Sequence, residues 1–324
     1  MSVLKAATSA ALLVLASAAL GNEAERTDAT QWLGKIARSA RELNYTGTFV
    51  YQHGEKVETS RITHVVDRSG EYEKLQTLDG PRREIIRMND EIYCYDHDSR
   101  VLRKERQSGK RNFPALIPEQ LPQVTDYYDV RLGGQERIAG FDAQQILLEP
   151  KDGFRYGHRL WADLSSGLLL RAKRLNERKD ALEQFTFTQL QIGTPATREV
   201  TVPNLEPGPR WRTEVIYADA VQPRQPGWVV KTIPAGFRKV VEMRRTRDGG
   251  AGSVTHMVFS DGLATVSIFI EPMRVKRKTT EGLVRHGAVN ILFRPLADQM
   301  ITVVGEAPPA TILQIGKSVT QSGR

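Results

Sequence analysis

The chain has 324 residues, a formal net charge of +8, 40% hydrophobic and 26% charged residues, and one cysteine. This length exceeds what one hydrophobic core usually serves, so two domains are expected. The composition excludes a disordered chain, and a single thiol excludes a fold held by internal disulfides.

The one long apolar run, Ala6 to Leu20, follows Lys5 and ends in small residues. It reads as a cleaved signal peptide over residues 1–21. A membrane anchor is the competing reading, but a bilayer-spanning helix needs about 20 apolar residues. Export is therefore expected, with a soluble mature protein. A helical pattern follows at Trp32, Ile36, Ala40 and Leu43, which Thr30 can cap.

From Tyr45 the apolar period changes to two. Strands are expected at Tyr45 to Tyr51, Val57 to Val66, Glu71 to Leu78, Arg83 to Met88 and Glu91 to Tyr95, separated by short turns. Connections this short join antiparallel neighbours. Cys94 lies within the last of these strands and reads as a packed thiol, while Asp96-His97-Asp98 reads as a turn. The segment Phe113 to Pro122 is apolar but broken by three prolines, which suits a cover over a sheet. A second set of strands, Gln144 to Leu148, Phe154 to Ala162, Leu168 to Leu175 and Glu183 to Ile192, extends the same sheet. The first domain is thus placed at residues 22–193.

A proline-rich linker follows at 194–212, then a smaller α+β domain at 213–324. Its strands are expected at Arg238 to Arg245, Val254 to Ser260, Thr265 to Ile270, Asn290 to Arg294 and Met300 to Gly305. A last helix carries Ile312, Ile315 and Val319.

Residues 201–324 hold 17 Lys and Arg against 10 Asp and Glu, so the positive excess belongs to the second domain. Two basic runs stand out, Arg244-Arg245-Thr246-Arg247 and Arg274-Val275-Lys276-Arg277-Lys278. If neighbours, they form a patch for phosphate or carboxylate groups. Export argues against nucleic acid as their partner. No nucleophile elbow, phosphate loop, dinucleotide fingerprint or close histidine pair is present, so a binding protein without enzyme activity, metal or cofactor is expected. The aromatic alternation Tyr45, Phe49 and Tyr51, repeated by Tyr93 and Tyr95, either packs under the first helix or lines a cavity for hydrocarbon chains.

Five stretches in order resemble the RseB/MucB family of periplasmic sigma-E regulators: Asn44 to Tyr51, Gly157 to Asp163 with Leu168 to Arg171, Pro226-Gly227-Trp228 with Ile233 to Phe237, Phe259 to Leu263, and Thr302 to Thr311. The resemblance implies an open antiparallel half-barrel, similar to lipoprotein carriers and closed by helices, with a smaller C-terminal domain. It also implies binding to the periplasmic segment of an inner-membrane anti-sigma factor, protection of that segment from site-1 proteolysis, and release by lipid, lipopolysaccharide or lipoprotein fragments. On this reading Trp228, Phe237, Arg244, Arg245 and Arg247 are candidate peptide contacts. Arg274, Lys276, Arg277 and Lys278 are candidates for anionic groups, and the tyrosine and phenylalanine set for the lipid. The alternative is a periplasmic carrier of lipoproteins or lipids; the oligomeric state stays open between monomer and homo-oligomer.

Overall fold

A computed structural model of the chain describes residues 28–106, 124–193, 198–203, 207–216, 227–246, 253–273 and 281–322. The expected signal segment, the expected cover at Phe113 to Pro122, Arg247, and the run Arg274 to Lys278 lie outside the described residues. Among the described residues no helix is long and apolar enough to cross a membrane.

Helix α1 (28–42) precedes a long meander: β1 (Tyr45–His53), β2 (Lys56–Asp67), β3 (Gly70–Thr77), β4 (Arg83–Met88), β5 (Glu91–Asp96) and β6 (Val101–Arg106). A single turn, α2 (Val124–Tyr127), leads into β7 (Tyr128–Ile138), β8 (Phe141–Pro150), β9 (Gly157–Asp163), β10 (Leu169–Leu175) and β11 (Ala181–Ile192). Strand β11 returns beside β1 and joins the two meanders into one sheet. After a 3-10 turn at Arg198–Thr201, β12 (Arg212–Ile216) pairs with β6 in parallel, against the antiparallel pairing of the other eleven strands. Residues 213–216, expected to open the second domain, thus belong to the first domain's sheet. The sheet ends in β12 on one side and β7 on the other, so it is an open half-barrel.

The expected helix stripe covers one face of this sheet. Ala29, Leu33, Ile36 and Ala37 are buried against Tyr45, Phe49, Ile62, Leu160, Phe185 and Phe187. Burial on this scale contributes roughly 1.5–3 kcal/mol for each large apolar side chain. Two hydrogen bonds anchor the helix to the β9–β10 turn, from Lys35 Nζ to Leu164 O at 2.7 Å and from Ser39 Oγ to Ser166 O.

The second domain is a six-stranded antiparallel sheet, ordered β14-β15-β16-β19-β18-β17, with a helix against one face. Its elements in chain order are β13 (Trp228–Val230), β14 (Arg238–Thr246), β15 (Ser253–Ser260), β16 (Thr265–Pro272), β17 (Gly282–His286), β18 (Val289–Leu296), β19 (Gln299–Gly305), helix α3 (Pro309–Lys317) and β20 (Val319–Gln321). Proline at the helix start costs no hydrogen bond, because the first N–H groups have no partner within the helix. Ile312 and Ile315 bury against Ile268, Leu292 and Val303, and β20 pairs with β13. The fold class is therefore α+β, an open antiparallel half-barrel with a smaller sheet-and-helix domain.

Candidate functional site at the domain seam

The two domains meet along a polar seam built from turns. In the first domain the β8–β9 turn carries Asp152 and Arg155, and in the second the β15–β16 turn carries Asp261. Arg155 is buried and donates from Nε to Asp261 Oδ2 at 2.8 Å, from Nη1 to Asp152, and from Nη2 to Ala235 O. Its guanidinium lies 4.3 Å from the Tyr127 ring centroid and 5.3 Å from that of Phe237. Only a planar cation with donors along its whole edge can satisfy three acceptors while two aromatic rings pack against it.

Asp261 also holds its own turn, because Oδ1 accepts from the Leu263 and Ala264 amides at 3.0 and 2.8 Å. Leu263, at the tip, packs against the first domain's core. Gly236 adopts φ +85°, and a Cβ there would stand 2.5 Å from Tyr127 and 2.7 Å from Arg155. Three further bridges cross the seam. Asn290 Nδ2 donates to Tyr156 OH at 2.9 Å, Thr311 Oγ1 donates to Phe154 O at 2.6 Å, and Arg174 pairs with Glu306 at 2.8 Å while also reaching Glu183. Burial pushes the Tyr51 phenol well above its ordinary range, as does Glu183, to which its hydroxyl donates.

The aromatic set expected to share one cavity wall is divided by the sheet. Directly paired residues share a face, and the register runs from Tyr45 to His64, Glu73, Arg87 and Ile92. Tyr93 and Tyr95, one residue out of phase, therefore sit on the face opposite Tyr45, Phe49 and Tyr51. Tyr45 and Phe49 are buried in the core under α1, whereas Tyr95 packs with Ile86, Leu102, Tyr93 and Trp211 beneath the interdomain segment. On the face shared with Tyr45, Ile85 of β4 is 38% exposed and Cys94 of β5 half-buried. Burial raises the Cys94 thiol above its ordinary pKa, in keeping with a packed sulfur.

The peptide candidates are likewise scattered. Phe237 is buried in the seam, Trp228 packs half-exposed on the second core, and Arg244 is exposed and donates to Ser253. Arg245 lies on β14 opposite Val254. Sequence reasoning missed Arg155, Arg174, Tyr156 and Asn290. Their partners are remote in the chain, and the only local signals were the turns at Asp152-Gly153 and Asp261-Gly262.

The models for the MucB/RseB N-terminal domain and the MucB/RseB C-terminal domain match residues 28–205 and 222–320. The chain belongs to the MucB/RseB family. The sigma factor AlgU regulatory protein MucB of Pseudomonas aeruginosa is 31% identical to it, over 96% of this chain and 97% of that one. The sigma-E factor regulatory protein RseB of Escherichia coli K12 is 25% identical, over 89% of each. Among solved structures, MucB in complex with MucA(peri) matches with 28% identity and a TM-score of 0.70, covering 91% of this chain and all of that one. The family is thus one of regulatory proteins, and its resemblance motifs at Ile233 to Phe237 and Phe259 to Leu263 are here the two edges of the seam.

Proposed function

We propose that this protein is a periplasmic negative regulator of an envelope-stress sigma factor, acting by binding the periplasmic segment of a transmembrane anti-sigma factor. The observation that carries this reading is the match, over both domains, to MucB in complex with MucA(peri). Binding shields the segment from site-1 proteolysis, and a lipid or lipopolysaccharide fragment releases it. Trp228 and the β14 arginines Arg244 and Arg245 contact the peptide. Phe237 does so only if the seam opens, since Arg155 covers it.

The acyl chains of the releasing lipid enter over Ile85 and Cys94, on the face that carries Tyr45, Phe49 and Tyr51. Ile85 is exposed and Cys94 half-buried there, whereas Phe49 is buried in the core. A carrier of lipoproteins could work with the half-barrel alone, whereas this half-barrel is bonded to its second domain through buried groups.

The test uses the mature protein, a synthetic peptide spanning the anti-sigma periplasmic segment, and the site-1 protease. Calorimetry should show binding, the protease should cleave the free peptide faster than the bound one, and lipopolysaccharide should restore cleavage. Absence of binding to the peptide, with capture of mature lipoproteins instead, would favour the carrier.

A further inference from the structure

His53 ends β1 in the first domain, and His286 ends β17 in the second. Far apart in sequence, their rings meet at the seam with centroids 4.9 Å apart and planes at 69°. The turn after His286 can come this close because Gly287 lacks a side chain. It adopts φ +59°, and a Cβ there would stand 3.3 Å from His53 Nδ1.

We propose that His53 and His286 bind one borderline divalent cation, of the zinc or copper(II) type, and that this cation clips the two domains together. Two imidazoles on a tetrahedral ion, with metal–nitrogen distances of about 2.0–2.1 Å, hold their ring centroids about 5 Å apart. The observed separation already matches that spacing. Among the described residues neither imidazole is hydrogen-bonded or ion-paired. His286 is exposed and His53 half-buried, so an ion can reach them from solvent.

The neighbouring charges do not compete for this role. Glu183, opposite His53 in the β1–β11 register, accepts from Tyr51 OH and pairs with Arg174. Lys56, opposite His53 on β2, is held by Glu58. No group of three or more His, Cys, Asp or Glu suited to a metal occurs among the described residues. With water completing the coordination, the site would be exchangeable rather than a permanent structural one. Because each domain supplies one ligand, the ion binds the docked arrangement in preference to a separated one and stabilises it by mass action.

The experiment is calorimetric titration of untagged full-length mature protein with zinc chloride alone and with copper(II) alone, alongside H53Q and H286Q. One equivalent should bind the wild type, each variant should bind at least tenfold more weakly, and the double variant should be no worse than either single one. Zinc should raise the melting temperature of the wild type and not that of H286Q, whose exposed side chain can change without disturbing the core. Equal zinc affinity in wild type and H286Q overturns the proposal, as does absence of binding by the wild type or an equal rise in melting temperature in both.

Discussion

Arg155 and Asp261, on turns of different domains, form an ion pair at 2.8 Å in which neither side chain keeps more than 1% of its surface. Asp152 joins the pair from a position that is still 29% exposed. Breaking a buried pair leaves one charge without its partner, which costs about 3–5 kcal/mol. Arg155→Met should therefore destabilise the protein by that amount in urea unfolding. Asp152→Asn should cost less than half as much, because water screens Asp152. Equal effects of the two substitutions would show that the exposed carboxylate carries the seam.

Gly236 has no room for a methyl group. Its positive φ and the nearness of Tyr127 and Arg155 combine backbone strain, worth about 1–3 kcal/mol, with a steric clash. Gly236→Ala should lower the melting temperature and loosen the seam. Gly134→Ala, where an added Cβ meets nothing within 4 Å, should leave it within the error of a thermal scan.

Trp211 holds the segment that returns to the first sheet. Its ring stands edge-on to His97 at 5.4 Å and to Tyr95 at 6.3 Å, and the following residue starts β12. Trp211→Ala should cost about 1–3 kcal/mol, with hydrogen exchange accelerating at residues 212–216 and not at β2 or β3. Uniform acceleration through the sheet would show instead that β12 is part of the global folding unit.

His158 gives the stability a pH dependence. Burial, reinforced by Arg174, pushes its imidazole down to about 3 in the folded state. The unfolded chain takes up the proton near pH 6.5, so its contribution is fully present above that value and is lost as the pH falls towards 3. The complete effect would be about 1.4 kcal/mol per pH unit, but the ring keeps some exposed surface and the slope should be a fraction of this. His158→Gln should flatten the stability profile between pH 6 and 4. A profile parallel to that of the wild type would assign the acid sensitivity to other groups.

Much of the architecture was legible in the chain because apolar period records which side of an element is covered. The period of two located β1 to β5, β8 to β11 and most strands of the second domain, and the spacing of Trp32, Ile36 and Ala40 located α1. The strands that escaped include three in which buried and exposed side chains do not alternate throughout. Strand β6 reads Val-Leu-Arg-Lys-Glu-Arg, β7 contains Gly133-Gly134 at a register shift, and Val215 of β12 is 48% exposed. Such strands are held by backbone pairing, which leaves little mark on side-chain choice.

Taken alone, the sequence determined the two-domain division, the antiparallel sheet, the helix stripe and the family, because each rests on local pattern or on ordered motifs. The tertiary structure alone decided that Tyr93 and Tyr95 face away from Tyr45. Alternation within one strand says nothing about phase in the next, which register and turn length set. It alone also brought Arg155 to Asp261 and His53 to His286. Those contacts depend on how two finished domains dock, and no local preference of the chain encodes the meeting of their turns.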